Sequence, residues 1–228
     1  MFIPALTESL LALPYSKKVL HEMISLVRHL FIDDEGESIH FIAAAIAPDV
    51  RSWPEERQLL FFSVVLKHFT ATKQMFETHR QLMTNGLTSQ DDNLRYLAFK
   101  CWALCCVSVE PLAEQSSTKL FLLASDREKN EKIKRIIFQA LFDCVLLFVE
   151  LTTSDQIFKA LCEQFVSKAV NTYSIKTRKL LTLGFCKCYA SGRYQDRLVL
   201  GQLMLKCSSD LFEPEKSIRD LIGRFFDW

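Results

Sequence analysis

Apolar residues recur at three- and four-residue spacing along nearly the whole chain, the period of amphipathic helices rather than the alternation of strands. The pattern is interrupted near Leu13-Pro14, Asp33 to Gly36, Ser52-Trp53-Pro54, Asn85-Gly86, Glu110-Pro111, Ser125-Asp126, Thr152 to Ser154, Tyr173-Ser174, Gly192 and Glu213-Pro214. The spacing predicts helical segments of roughly 12 to 22 residues between these points. Several segments open on a helix-start signal. Pro54-Glu55-Glu56 places a proline and two acids at one start, while Ser89-Gln90-Asp91-Asp92 and Thr153-Ser154-Asp155 each offer a capping side chain followed by acids.

A repeat lies over this pattern. Five predicted helices carry a basic residue near their start, with a second position three residues on and a third six residues on. The sets are Arg57, Leu60, Ser63; Arg95, Ala98, Cys101; Lys134, Ile137, Ala140; Arg178, Leu181, Gly184; and Arg219, Ile222, Phe225. Successive basic residues are 38, 39, 44 and 41 positions apart, and Lys17 or Lys18 marks a weaker sixth unit before them. A period near 40 residues is that of the two-helix HEAT unit. A lone helix pair cannot bury its apolar stripe, but stacked pairs make one continuous core and a curved superhelix. The expected fold is therefore all-α: a HEAT-repeat superhelical solenoid of about five to six helix pairs spanning residues 1–228 as a single domain. The basic-start helix is the inner helix of each pair, and a small residue at the sixth position lets the neighbouring helix come close. A compact helical bundle without repeats is the alternative.

Composition agrees with this reading. Six Gly and six Pro leave little material for the tight turns of a hairpin-rich β fold. No apolar run reaches the roughly 18 residues that cross a bilayer; the longest, Ile136 to Leu151, is broken by Gln139 and Asp143. The first residues lack the basic stretch of a signal peptide. The eight cysteines, Cys101, Cys105, Cys106, Cys144, Cys162, Cys186, Cys188 and Cys207, sit within apolar helical runs. They read as reduced, small core residues of an intracellular protein. Zinc is the alternative, but Cys101 and Cys105 stand at helical spacing and there is no Cys-x-x-Cys pair.

Catalytic signatures are missing. No glycine-rich phosphate loop and no GxSxG or HExxH pattern is present. The histidines, His21, His29, His40, His68 and His79, lie on separate segments without a metal partner at ligand spacing. Glu55-Glu56 and Asp91-Asp92 suit helix N-termini better than acid–base pairs. No enzyme, cofactor, metal site or small-molecule substrate is expected. Charge carries more information: residues 1–118 hold 10 basic and 14 acidic side chains, a balance of −4, against 18 and 13, or +5, in residues 119–228. The basic residues of the second half cluster at three helix starts: Lys129, Lys132, Lys134 and Arg135; Lys176, Arg178 and Lys179; and Lys216 and Arg219. A solenoid sets equivalent positions in line, so these clusters form a candidate ladder for a phosphate backbone, without reading base sequence. A solvated helix face, with Glu128, Glu131 and Glu215 nearby, is the other reading.

Residues 89–228 carry a more specific likeness, whereas residues 1–88 read as generic helical repeats. Asn93 to Cys106, Lys132-Ile133-Lys134 with Ala140-Leu141-Phe142-Asp143, Gly184-Phe185-Cys186-Lys187 with Ser191-Gly192-Arg193, Leu203-Met204-Leu205, and Ser217-Ile218-Arg219 with Phe225-Phe226 follow one another in an order and spacing that resemble the later HEAT repeats of the condensin G subunit. Leu183 stands where that family usually carries a glutamate. The resemblance implies a scaffold in mitotic chromosome condensation that binds the kleisin subunit and sequence-independent double-stranded DNA. It also implies indirect contact with the SMC ATPase subunits, no membrane partner, and residence in the nucleus and on chromosomes with a cytoplasmic pool. The family's members are longer than 228 residues. The competing expectation is a HEAT-type interaction adaptor that binds an extended peptide and has no DNA role.

Overall fold

Helices begin where the capping residues stand. The computed structural model describes residues 17–30, 50–124, 128–148, 159, 161–163, 173–193, 197–208 and 213–226. The helices are α1 (Lys17–Leu30), α2 (Glu55–His68), α3 (Lys73–Leu87), α4 (Asp92–Ser108), α5 (Glu110–Leu122), α6 (Glu131–Leu147), α7 (Ile175–Ala190), α8 (Arg197–Ser208) and α9 (Glu213–Phe226). Pro54 directly precedes α2, and its carbonyl accepts the first helical bonds from Arg57 and Gln58. Asp91 caps α4 by accepting from the amides of Asn93 and Leu94. Asn130 caps α6 and Ser174 caps α7 in the same way.

Two connections differ from the sequence reading. One break was not anticipated: Phe69 to Thr72 separates α2 from α3 with neither glycine nor proline, and Thr72 caps α3 by accepting from the Met75 amide. Asn85-Gly86, expected as a break, lies inside the last turn of α3. Gly86 is there for closeness: a Cβ built on it would lie 2.6 Å from the Ala98 Cβ. The expected breaks near Glu110-Pro111 and Glu213-Pro214 are helix starts, the first directly after α4 ends at Ser108, and a proline in the first turn loses no helical bond. The expected breaks at Leu13-Pro14, Asp33 to Gly36, Ser125-Asp126 and Thr152 to Ser154, the start at Thr153-Ser154-Asp155, and His40 lie outside the described residues.

The chain divides into two compact units, Met1–Ser108 and Val109–Trp228. In the first, α2 packs on α4, α3 on α4 and α1 on α2. Leu20, Ile24 and Val27 of α1 meet Phe61, Val64, Val65 and Phe69 in one core cluster. Lys100 of α4 is buried and donates to Ser63 Oγ of α2 at 3.0 Å. Cys101 Sγ lies 3.3 Å from the Leu59 carbonyl, and Asn93 bonds to Glu56. These partners stand 37, 42 and 37 residues apart, so α2 and α4 run parallel in nearly constant register. That is the relation between inner helices of successive HEAT units.

The second unit repeats the relation. The helix α7 packs on both α6 and α9, α8 on α9, and α5 on α6. Phe142 meets Phe185 with ring centroids 5.1 Å apart and Glu131 bonds Ser174, both pairs 43 residues apart, so α6 and α7 run parallel, while Tyr189 of α7 meets Phe225 of α9 at 6.5 Å. The residues three positions on, Ala98, Ile137, Leu181 and Ile222, are buried, and those six positions on, Ser63, Cys101, Ala140 and Gly184, are buried too. Phe225 departs from the small-residue rule and is half-buried. Seven cysteines are buried thiols; the Cys207 side chain lies outside the described residues. Burial pushes Cys101, Cys186 and Cys188 up to about 12, so these thiols stay protonated and unreactive at neutral pH.

Candidate partner-binding groove

Parallel inner helices with constant register leave a furrow between neighbours wherever both carry apolar side chains outward. Such a furrow lies over α6, α7 and α9 in the second unit. A cavity of about 260 Å³ has a floor of Phe142, Leu146, Leu180, Leu183 and Leu221, with Gln139, Asp143, Lys179 and Lys187 at its rim. It runs into a wider depression between α7 and α9, since Leu183, Lys187 and Leu221 line both. Asp220, Arg224 and Phe225 bound the far end. Leu183 is 42% exposed, an apolar side chain presented to solvent at the centre of the furrow.

Two sequence motifs converge here. Phe142 and Asp143 end one, and Gly184 and Lys187 bracket the other; all four line the same cavity. Gly184 is required by that convergence, because a Cβ there would lie 2.5 Å from Cε2 and Cγ of Phe142. Asp143 is pushed above the ordinary carboxylate range by its burial, with Lys187 and a hydrogen bond from Gln139 pulling the other way. The floor is apolar and the rim carries both signs.

The basic clusters lie at or near the starts of α6, α7 and α9, and Lys179 among them lines the cavity. Lys129 and Lys132 at the start of α6 and Lys176 at the start of α7 are exposed. Lys134, Arg135, Arg178 and Lys179 are half-buried. Lys134 is engaged within the fold: its Nζ lies 3.6 Å from Glu131 Oε1 and 5.0 Å from the centre of the Tyr173 ring. Arg57 and Arg95, its counterparts in the first unit, are engaged likewise, the first 3.7 Å over Trp53 and the second with Asp92 and the Ser89 carbonyl. The basic residue that marks the repeat therefore ties down a helix start. Lys216 and Arg219 fall on α9, and their side chains lie outside the described residues.

Sequence reasoning missed the part played by Glu131. Its Oε2 accepts from Thr177 Oγ1 at 2.6 Å and from Ser174 Oγ at 2.7 Å, joining the starts of α6 and α7. The signal was present only as an acid one repeat ahead of a Ser-x-x-Thr cap. Burial alone would raise the Glu131 pKa, but the bonds from Thr177 and Ser174 and the charge of Lys134 outweigh it and hold it below the ordinary carboxylate range. A depressed carboxylate stabilises the fold above its unfolded pKa near 4.5, and that contribution is lost as pH falls through the lowered folded value. Glu131→Ala is expected to cost about 1 kcal/mol at pH 7, a figure already reduced for the solvent screening of a partly exposed group. The difference from wild type should shrink as pH is lowered in urea titrations; a difference unchanged with pH would assign the loss to packing instead.

The family model for the C-terminal domain of nuclear condensing complex subunits (Cnd3) matches residues 59–228. The chain belongs to this family. The match begins at Leu59, ahead of the first quoted motif at Asn93, and takes in α2 from Leu59 onward together with α3 to α9. No curated protein matches the chain. Among solved structures, the crystal structure of the S. pombe condensin Cnd3–Cnd2 subcomplex is similar, with a TM-score of 0.80 at 18% identity over 98% of this chain. At that identity the likeness shows the fold, a condensin-type HEAT-repeat solenoid. The chain spans about a third, 32%, of the solved chain.

Proposed function

We propose that the chain acts as a HEAT scaffold of the G-subunit type in a condensin complex. It would hold a segment of the kleisin subunit in the α6–α7–α9 furrow and duplex DNA, without sequence preference, along the exposed helix starts. The observation that carries this reading is the family match over residues 59–228. The furrow supports the kleisin part, because the motifs that resemble the G subunit meet in it. The similar solved structure is that of a condensin subunit with a partner subunit. On this reading the chain carries no ATPase, reaches the SMC subunits through the kleisin, and works in the nucleus and on chromosomes.

The DNA part rests on Lys129, Lys132 and Lys176. All three are exposed, and they flank the point where Glu131 joins two helix starts. They are also the charges whose removal leaves the packing alone. Changing the three together to Glu is expected to lower the slope of log affinity against log salt by about 1 per lysine for a generic DNA duplex. The triple variant should still bind the kleisin, as tested by pulling down tagged kleisin fragments. An unchanged salt slope removes these residues from any DNA interface. Failure of every kleisin fragment to bind, with capture of an unrelated extended peptide in the furrow, favours the adaptor reading.

A further inference from the structure

His21 of α1 and His68, the last residue of α2, are 47 positions apart, yet His21 Nδ1 and His68 Nε2 lie 3.1 Å from each other. The rings are tilted by 56° with centroids 5.4 Å apart. At that separation one ring donates its N–H and the other must accept. One added proton is tolerated, because an imidazolium still donates to a neutral ring. After a second proton both nitrogens carry hydrogen and no acceptor remains.

The surroundings sharpen this limit. Around His68 stand Arg28 and Glu22 of α1 and Lys67 of α2, two cations to one anion. Of the ionisable groups on the other helices that pack on α2, three have partners away from the pair. His79 of α3 stacks on Phe62, while Lys100 and Cys101 of α4 meet Ser63 and Leu59. Burial first, then Arg28 and Lys67, hold His68 below the ordinary imidazole range against the opposing pull of Glu22. The same cations disfavour a divalent metal ion between the rings. The pair sits on the helices whose Leu20, Ile24 and Val27 close over Phe61, Val64 and Val65.

We propose that the His21–His68 contact is a proton-operated catch, fastening α1 to α2 at neutral pH and releasing it in mild acid. The sign follows from the depressed folded value: the contribution is complete above the ordinary pKa of 6.5 and is lost as pH falls through the lowered one. Release would bring the apolar edge of Leu20, Ile24 and Val27 into solvent, coupling acidity to exposure of an apolar surface.

Amide hydrogen exchange on the full chain between pH 7.5 and 5.5, corrected for intrinsic rates, tests the catch. In the wild-type protein, opening of residues 17–30 should increase by up to about tenfold per pH unit for each proton taken up. Residues 131–147 should not follow. In His21→Gln/His68→Gln the pH dependence should disappear, because neither side chain titrates. If that variant loses helicity, His68→Gln alone gives the same comparison, since two facing imidazolium rings can no longer form. A flat wild-type profile, or an equal rise in the variant, overturns the proposal.

Discussion

Alanine in place of Phe185 is expected to destabilise the second unit by about 3–5 kcal/mol, a large fraction of the stability of a domain this size. Phe185 is fully buried and is among the largest side chains to be so. Its ring meets Phe142 edge-on at 82°, an arrangement favoured by the aromatic quadrupole beyond the area buried. It lies in the middle of α7, the helix that packs on both α6 and α9, so the cavity opens where two inner-helix contacts converge and little can collapse into it. In urea, the midpoint reported by the second unit should fall while the slope of the transition is retained. A loss below about 1 kcal/mol would mean that Phe142 fills the space, and would remove Phe185 from the centre of this core.

A second large effect is expected at its neighbour. Gly184→Ala gains about 1 kcal/mol of helix propensity, but overpacking a tight contact costs about 1–3 kcal/mol. The clash should win, because the new Cβ meets the Phe142 ring itself, 2.5 Å from Cγ and Cε2, rather than the end of a flexible chain. Phe142 has no easy retreat, being buried and in contact with Phe185 on the other side. Gly184→Leu should cost more than Gly184→Ala. Shrinking the partner gives the internal check: Phe142→Leu should be costly alone, yet Gly184→Ala/Phe142→Leu should lose less than the two single changes together, a coupling read by a double-mutant cycle. Additive losses would show that Gly184 is not held to glycine by Phe142. The same pair shapes the furrow floor, so kleisin-fragment affinity in the double variant reports whether the floor geometry matters to binding.

Much of the architecture was legible before any coordinates. The period marked by Arg57, Arg95, Lys134, Arg178 and Arg219 places the five on α2, α4, α6, α7 and α9, because a repeat must bury the same face each time. Breaks were less legible. The Phe69 to Thr72 connection carries residues equally at home in an element, and only the Thr72 cap betrays it. Asn85-Gly86 has the composition of a turn, yet Gly86 serves close packing on Ala98. A residue type constrains what the backbone can do there; which of those options is used depends on the neighbour that arrives from elsewhere in the chain.

Functional residues divide along the same line. By itself the sequence determined the helical class, the period near 40 residues, the placement of small residues at the inner-helix contacts and the basic second half, since each follows from spacing along one chain. The tertiary structure alone decided which charges stay exposed. Lys129, Lys132 and Lys176 are exposed, while Lys134 is taken up by Glu131 and Tyr173. It also joined Phe142 and Asp143 to Gly184 and Lys187 in one furrow, and His21 to His68 across 47 residues. Those pairings turn on ångström-scale register between packed helices, and register is set by how side chains from distant parts of the chain interlock, a relation that no pattern along a single stretch contains.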